Sequence, residues 1–367
     1  MKNLYTINNI EKIDSPSLIV YPQIAKENIH KLIEMAGSVD LLRPHVKTNK
    51  IAEVCQMMLN AGINKFKCAT IAEAEMLGMI NAQDVLIAHQ PVGPKAMRVL
   101  QLVKSFPNTQ FSCIIDNLHT AEILSNLFES HHLVLLVFID LNVGMNRSGI
   151  TPEKGLDLFK GAKLLPGINI IGLHGYDGHI RDTDFKERSR RSDEAFNTVE
   201  ELKNQIEALS NQKLLLVIGG SPSFPTHTKR RNVQYSPGTF VFWDWGYKHM
   251  VPDQPFEFAA LVITRIISIM DHETVCTDLG HKSVAAENPL PRVHLLNALD
   301  AIPIGQSEEH LVLKMTDTSK WKVGDVLYAV PVHICPTVAL YDWAVIVENN
   351  EVIDNWKVIA RTRKITI

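Results

Sequence analysis

The stretch RPHVKTNK runs from Arg43 to Lys50. Arg43, His45 and Lys47 recur at every second position, so on an extended strand a guanidinium, an imidazole and an ammonium share one face. Two readings fit that row. It faces water, as a solvated edge with Lys47 and Lys50 on the surface, or it looks into an interior. In the second case a lysine withdrawn from water beside other cations is pushed toward the neutral amine, a nucleophile for carbonyl groups. Two further stretches carry chemistry. In VIGGSPS (217–223), Gly219, Gly220, Ser221 and Ser223 are small enough for backbone N–H groups to approach an anion, and the serines add hydroxyls. Gly-Gly-Ser is otherwise an ordinary turn, so its place in the fold must decide. In PVHICPT (331–337), an H-x-C pair on a strand puts His333 and Cys335 on one face, where two ligands of one ion belong. Two protein ligands leave positions for water and substrate, and a thiolate favours zinc over manganese or magnesium. The plainer alternative is a buried structural Cys335 beside an incidental His333.

These residues need elements to hold them. Short apolar runs alternate with helix-length segments: LLRPHVK (41–47), KFKCA (65–69), DVLIAH (84–89), FSCIID (111–116), LVLLVFID (133–140), NIIGLHGY (169–176), LLLVIGG (214–220) and VQYSPG (233–238). Continuous apolar strands separated by helices predict a parallel sheet, and eight in order predict a (β/α)8 TIM-type barrel. A doubly wound open sheet is the alternative. Thr70 is placed to cap a helix over 71–80, and 184–209 reads as one long amphipathic helix ending near Ser210 and Asn211. Beyond residue 245 the chain reads as short strands and turns, a second and mainly β domain. The expected domains are therefore 15–245 for the barrel and 246–367 for the β domain, with 1–14 left open to join the latter. SLIVY (17–21) is open between capping the barrel and joining the second domain.

In such a barrel the active residues sit at the C-terminal ends of the strands. Here those ends carry Lys47, Thr70, His89, Asp116, Asp140, His174 with Tyr176, the Gly219-Gly220-Ser221 turn and the Ser236-Pro237-Gly238 turn. The turns after the seventh and eighth strands are where these barrels hold phosphate. A phosphate site with a Schiff-base lysine points to pyridoxal 5'-phosphate.

RPHVKTNK, DLNVGMNRSGI (140–150), LHGYDGHI (173–180), VIGGSPS, YSPGTFVFWD (235–244) and PVHICPT, taken in order, resemble the D-threonine aldolases and eukaryotic-type D-serine dehydratases. These are pyridoxal-phosphate enzymes of the alanine-racemase-like fold, and the resemblance covers nearly the whole chain. It implies that Lys47, not Lys50, is the Schiff-base lysine and that Arg147 lies near the cofactor ring. Tyr176 would flank the cofactor, and Gly219, Gly220, Ser221 and Ser223 would bind its phosphate. Arg43 and His45 become supporting residues. His333 and Cys335 match the family's metal pair, with zinc first and manganese or magnesium behind it. The implied reaction is aldol cleavage of a D-β-hydroxy amino acid to glycine and an aldehyde. The alternative is dehydration to a 2-oxo acid and ammonia, on D-serine or 3-hydroxy-D-aspartate. A racemase or a non-catalytic cofactor carrier ranks lower. Which lyase route runs depends on a base for the β-hydroxyl, expected after Tyr176 at His179 or Asp182, with Asp184 a further candidate. A homodimer is implied too.

The rest of the composition agrees. A formal charge of -3 points to neither nucleic acid nor membrane surface as partner, and LVLLVFI (133–139) is far too short to span a bilayer. Five scattered cysteines fit free thiols in a reducing, cytoplasmic setting, and the N-terminal stretch lacks the apolar core of a secretory signal.

Overall fold

The computed structural model describes residues 3–367. The chain divides into two compact units, one made of residues 31–47, 55–238 and 362–367, the other of 1–30, 48–54 and 239–361.

The first strand of the chain, β1 (Ser17–Val20), belongs to the second unit. The next seven form the parallel sheet of the first unit: β2 (Lys65–Cys68), β3 (Asp84–Ile87), β4 (Gln110–Ile115), β5 (Leu135–Leu141), β6 (Ile168–Gly175), β7 (Leu215–Ile218) and β8 (Gln234–Tyr235). They lie side by side in chain order, β2 to β8. The run 41–47 is not a regular strand. Leu42 bridges Tyr235 on one side and His45 bridges Lys67 on the other, both in parallel sense. Arg43 N donates to Tyr235 O, and Val46 N to Lys67 O, each at 2.9 Å. Pro44 has no N–H to give, so the ladder is too sparse for a full strand, yet the segment is the eighth stave that joins β8 to β2. The sheet closes on itself as expected of a barrel.

Register carries one face around the ring. His45 opposes Lys67, Lys67 opposes Leu86, Asp140 opposes His174, and His174 opposes Val217. Opposed residues of parallel neighbours point the same way. Leu86, Ile114, Phe138 and Val217, from β3, β4, β5 and β7, pack into one buried cluster, which strands so far apart can form only through the interior. The face that holds these apolar residues therefore also holds Lys67, Asp140 and His174.

Helices follow the strands. Thr70 caps Ile71–Met79, its hydroxyl accepting from Glu73 N at 3.1 Å, while the Glu73 carboxylate accepts from Ala69 N at 2.6 Å. Asp184 caps the long helix Phe185–Ser210 by accepting from Glu187 N at 2.8 Å, and Asn211 ends it in the left-handed conformation. No helix among the described residues is long and apolar enough to cross a membrane.

The second unit is a nine-stranded sheet. It adds to β1 the strands β9 (Ala260–Ile269), β10 (Thr274–Thr277), β11 (Val293–Leu295), β12 (Ile302–Gln306), β13 (Leu311–Lys314), β14 (Val326–Pro331), β15 (Trp343–Glu348) and β16 (Glu351–Lys357). β1 pairs antiparallel with β9 and parallel with β15. Those ladders draw SLIV and its flanks into this sheet, so the units differ from the 15–245 and 246–367 boundaries expected from the sequence. Thr239–Val241 and Trp245–Met250, short helical turns after the barrel, also fall in this unit.

Candidate active site

Arg43, in the stave that closes the barrel, is 0% exposed. Its two terminal nitrogens clamp both oxygens of Asp84, at 2.7 and 2.6 Å, and Nε donates to Gln234 at 2.7 Å. The guanidinium is thus compensated, and it supports the barrel beneath the chemistry.

Two residues on, His45 lines a cavity of about 490 Å³ with Lys47, His89, Asp116, Asp140 and Arg147. Three cations approach the Tyr176 ring beside it. Arg147 lies 4.9 Å from the ring centroid, and the Nζ atoms of Lys47 and Lys67 each lie 5.7 Å from it. The nearby carboxylates are occupied elsewhere. Asp140 pairs with His174 Nδ1 at 2.6 Å, and Asp177 with His227 Nε2 at 2.7 Å. Cations gathered beside an aromatic face, with Asp116 and Asp140 on the same wall, would suit a ligand that carries anionic groups.

Burial dominates the titration of the inner groups. It pulls Lys67 down to about 7, helped by Lys47 and opposed by Asp177 and Asp140. Burial also holds His174 below the usual histidine range, against its bond to Asp140. Asp177 goes the other way: burial raises it, but the charge of His227 and the bonds from His227 and Ser223 keep it below the usual carboxylate range.

The turn after β7 packs against the tyrosine. Gly219 has φ +80°, open to glycine at low cost, and a Cβ on Gly220 would come within 2.8 Å of the Tyr176 ring. Ser221 Oγ accepts from Gly238 N at 3.1 Å, tying the turns after β7 and β8 together. Ser223 Oγ donates to Asp177 at 2.5 Å and accepts from Gly220 N at 3.2 Å, so it braces the turn. The hydroxyl of Ser236 is buried with no hydrogen-bond partner. A phosphate would find glycine backbone and hydroxyls here, and the residues fit pyridoxal phosphate.

His179 and Asp182 stand apart from this group. His179 lines a separate depression with Asn142, Glu153 and Arg191, and packs so close to Gly144 that a Cβ there would meet its Nε2 at 2.7 Å. Asp182 is held by Arg191 at 2.8 Å, and Asp184 is spent on the helix cap. The structure brings Lys47 and Arg147 into one cavity, both near the Tyr176 ring, but neither loop base lines it.

In the second unit, His333 and Cys335 are not on a strand. β14 stops at Pro331, opposite Val293 where β11 begins, and His333 stands just before the short helix Ile334–Val338, at its N-cap position. The two side chains still lie close enough for Cys335 to act on the His333 imidazole. Cys335 Sγ lies 3.1 Å from Thr48 Oγ1, and His333 Nδ1 lies 2.5 Å from Glu287 Oε1. Burial would lower His333, but Cys335, Glu287 and Asp244 outweigh it and lift the imidazole to about 9. Burial pushes the neighbouring Asp244 up to about 6. Among the described residues no three His, Cys, Asp or Glu side chains gather as a metal cage. A soft thiolate with an imidazole remains a two-ligand set that suits zinc with open positions.

Lys67, Asp177, His227 and Glu287 were not singled out from the sequence. Only Lys67 gives a local signal, a charge in the middle of KFKC.

The model of the alanine racemase N-terminal domain matches residues 22–244, and that of the putative serine dehydratase domain matches 259–347. The chain is similar to D-threonine aldolase of Arthrobacter sp, 26% identical over 362 residues, covering 96% of this chain and 94% of that protein. It is also 26% identical over 363 residues to 3-hydroxy-D-aspartate aldolase of Paracoccus denitrificans (strain Pd 1222), covering 95% and 92%. The crystal structure of D-threonine aldolase from Filomicrobium marinum superposes with a TM-score of 0.87 at 24% identity, covering 95% of each chain. With the first model spanning more than half of the sequence, and every barrel strand that carries the cavity inside it, the chain belongs to the family of the alanine racemase N-terminal domain.

Proposed function

We propose that the protein is a lyase of D-β-hydroxy amino acids that uses pyridoxal phosphate and a divalent metal, with D-threonine-type aldol cleavage as its reaction. The observation that carries this reading is the Tyr176 ring with Lys47, Lys67 and Arg147 around it, next to the cavity that Lys47 lines. Lys47 would hold the cofactor through its amine. Arg147 and Tyr176 would orient the ring, Gly219, Gly220 and Ser221 would receive the phosphate, and Ser223 would brace that turn. His333 and Cys335 would hold the metal, zinc by the thiolate's softness.

When bound, the cofactor supplies an electron sink for carbanion chemistry at Cα. The chain supplies the rest. Arg147 neutralises anionic charge at the cavity, and the amine of Lys47 takes or returns a proton at Cα. In aldol cleavage the β-hydroxyl loses its proton, the Cα–Cβ bond breaks, and Cα is reprotonated, giving glycine and an aldehyde. Dehydration differs: Cα loses its proton, hydroxide leaves Cβ, and hydrolysis gives a 2-oxo acid and ammonia. One observation favours dehydration as a second reading, because His179 and Asp182 do not line the cavity while Lys47 does.

Product analysis tests the reading. Protein loaded with pyridoxal phosphate and Zn²⁺ or Mn²⁺ is incubated with D-threonine. Glycine with acetaldehyde supports the aldolase, and 2-oxobutanoate with ammonia the dehydratase. Neither product from D-threonine, D-serine or 3-hydroxy-D-aspartate sinks the lyase proposal. The proposal includes a homodimer, checked by light scattering, and a cytoplasmic setting in keeping with cysteines that form no disulfide among the described residues.

A further inference from the structure

Lys67 is 1% exposed, and it is the only fully buried lysine among the described residues. Each element packed around it brings a charged or titratable group. The stave 42–46 and its end bring Arg43, His45 and Lys47. β3 brings Asp84, already clamped by Arg43. β5 brings Asp140, and β6 with its following loop brings His174, Tyr176 and Asp177. The turn after β5 brings Arg147 to the same Tyr176 ring. No carboxylate pairs directly with Lys67 among the described residues. Its partner is His174, with Nζ 3.4 Å from Nε2.

That contact is one step in a row. His174 Nδ1 lies 2.6 Å from Asp140 Oδ1, so the ring donates there and presents the Nε2 lone pair to Lys67. Asp140 Oδ2 accepts from Ser148 Oγ at 3.2 Å, and both residues line the cavity. The buried amine is thus linked by hydrogen bonds to the wall of the site. An interior ammonium without a carboxylate is costly, so a lysine kept in this position is kept at the edge of deprotonation. Lys47 and Lys67 sit at the same distance from the Tyr176 ring and repel each other when both are charged.

We propose that Lys67 is a positioning residue for Lys47: the row Ser148–Asp140–His174–Lys67 passes a proton between the cavity wall and the buried amine, and the charge on Lys67 sets the pH at which the Lys47 nitrogen holds its own proton. The proposal rests on the reading of Lys47 as the lysine that carries the cofactor. Only a proton moves, from Lys67 through the imidazole to the wall or back, and no bond between heavy atoms changes.

The test is the absorbance of the cofactor-loaded protein, followed from pH 5 to 10 in wild type, Lys67→Met, Lys67→Arg, His174→Asn and Lys47→Ala. Lys67→Met removes the cation and should raise the midpoint of the Lys47-linked band. Lys67→Arg fixes the cation and should lower it, and His174→Asn should move it by breaking the row. Replacing a purely structural lysine would change the melting temperature without these opposed shifts. Where Lys67→Met does not fold, the charge-preserving Lys67→Arg and the His174→Asn protein carry the test. An unchanged midpoint in the Lys67 and His174 variants, with the band lost in Lys47→Ala, overturns the proposal on Lys67 alone. A band that survives in Lys47→Ala overturns the reading of Lys47 itself.

Discussion

The Nδ1 atom of His333 lies 2.5 Å from Oε1 of Glu287, across 46 residues of sequence. A ring held by a carboxylate at Nδ1 has its tautomer and plane set, which leaves Nε2 as the atom that would bind a metal. This is how proteins orient histidines that bind metals. Glu287→Gln should therefore weaken Zn²⁺ binding about 10- to 100-fold while leaving His333 and Cys335 in place. Calorimetric titration of the metal-free protein checks this. Equal affinity in the variant and wild type would show that Glu287 does not orient a ligand.

A second prediction concerns the base of the barrel. Arg43 is fully buried and is compensated by Asp84, whose side chain is 19% exposed. Asp84→Asn strands the guanidinium, so unfolding in denaturant should show a loss of about 3 kcal/mol or more. Arg43→Met together with Asp84→Leu removes both charges and should cost far less than the single change, because the penalty comes from the unpaired charge. Equal losses in the single and double variants would mean that packing, not charge, dominates there.

Much of this was readable from spacing. The period of two in Arg43, His45 and Lys47 told which side chains share a face, and the closed ring makes that face the interior. The spacing could not tell which cation is compensated, because Asp84 and Gln234 come from distant strands. Lys67 lay in plain sight in KFKC, but a strand lysine is usually solvated, and only ring closure makes this one interior. The H-x-C pair was read with strand geometry. It sits instead at the start of the short helix Ile334–Val338, because β14 stops at Pro331, opposite Val293 where β11 begins. Nearness in sequence to Tyr176 is all that makes His179 and Asp182 candidates. The chain turns after Asp177, and Arg191 from the next helix takes Asp182. SLIVY was open because β1 pairs with β9 and β15, each more than two hundred residues away.

The phosphate-type turn gives a third prediction. Asp177 is buried and accepts from Ser223 and His227, which shape the turn after β7. Its carboxyl is held below the usual range, so the stabilisation is present above the unfolded carboxylate pKa of about 4 and lost as pH falls through the folded value. Asp177→Asn should remove that acid-side dependence, destabilise by about 3 kcal/mol, and weaken pyridoxal-phosphate binding more than tenfold. Fluorescence titration with the cofactor checks the affinity, and unchanged binding would mean that the turn holds its shape without the carboxylate.

The last prediction follows from burying an amine. The folded state holds Lys67 at about 7, far below the unfolded lysine value of about 10.4. Between those values the unfolded chain binds the extra proton. This contribution therefore raises stability as pH climbs from about 7 to about 10, and below 7 its penalty is fully present. Lys67→Met has no such group. Its melting temperature should exceed that of wild type at pH 6, and the gap should close by pH 10. The comparison is made on cofactor-free protein, so that binding does not add to it. A gap that stays constant with pH would mean that Lys67 keeps its charge in the folded barrel, and that Asp140 and Asp177 compensate it more fully than their pairing with His174 and His227 suggests.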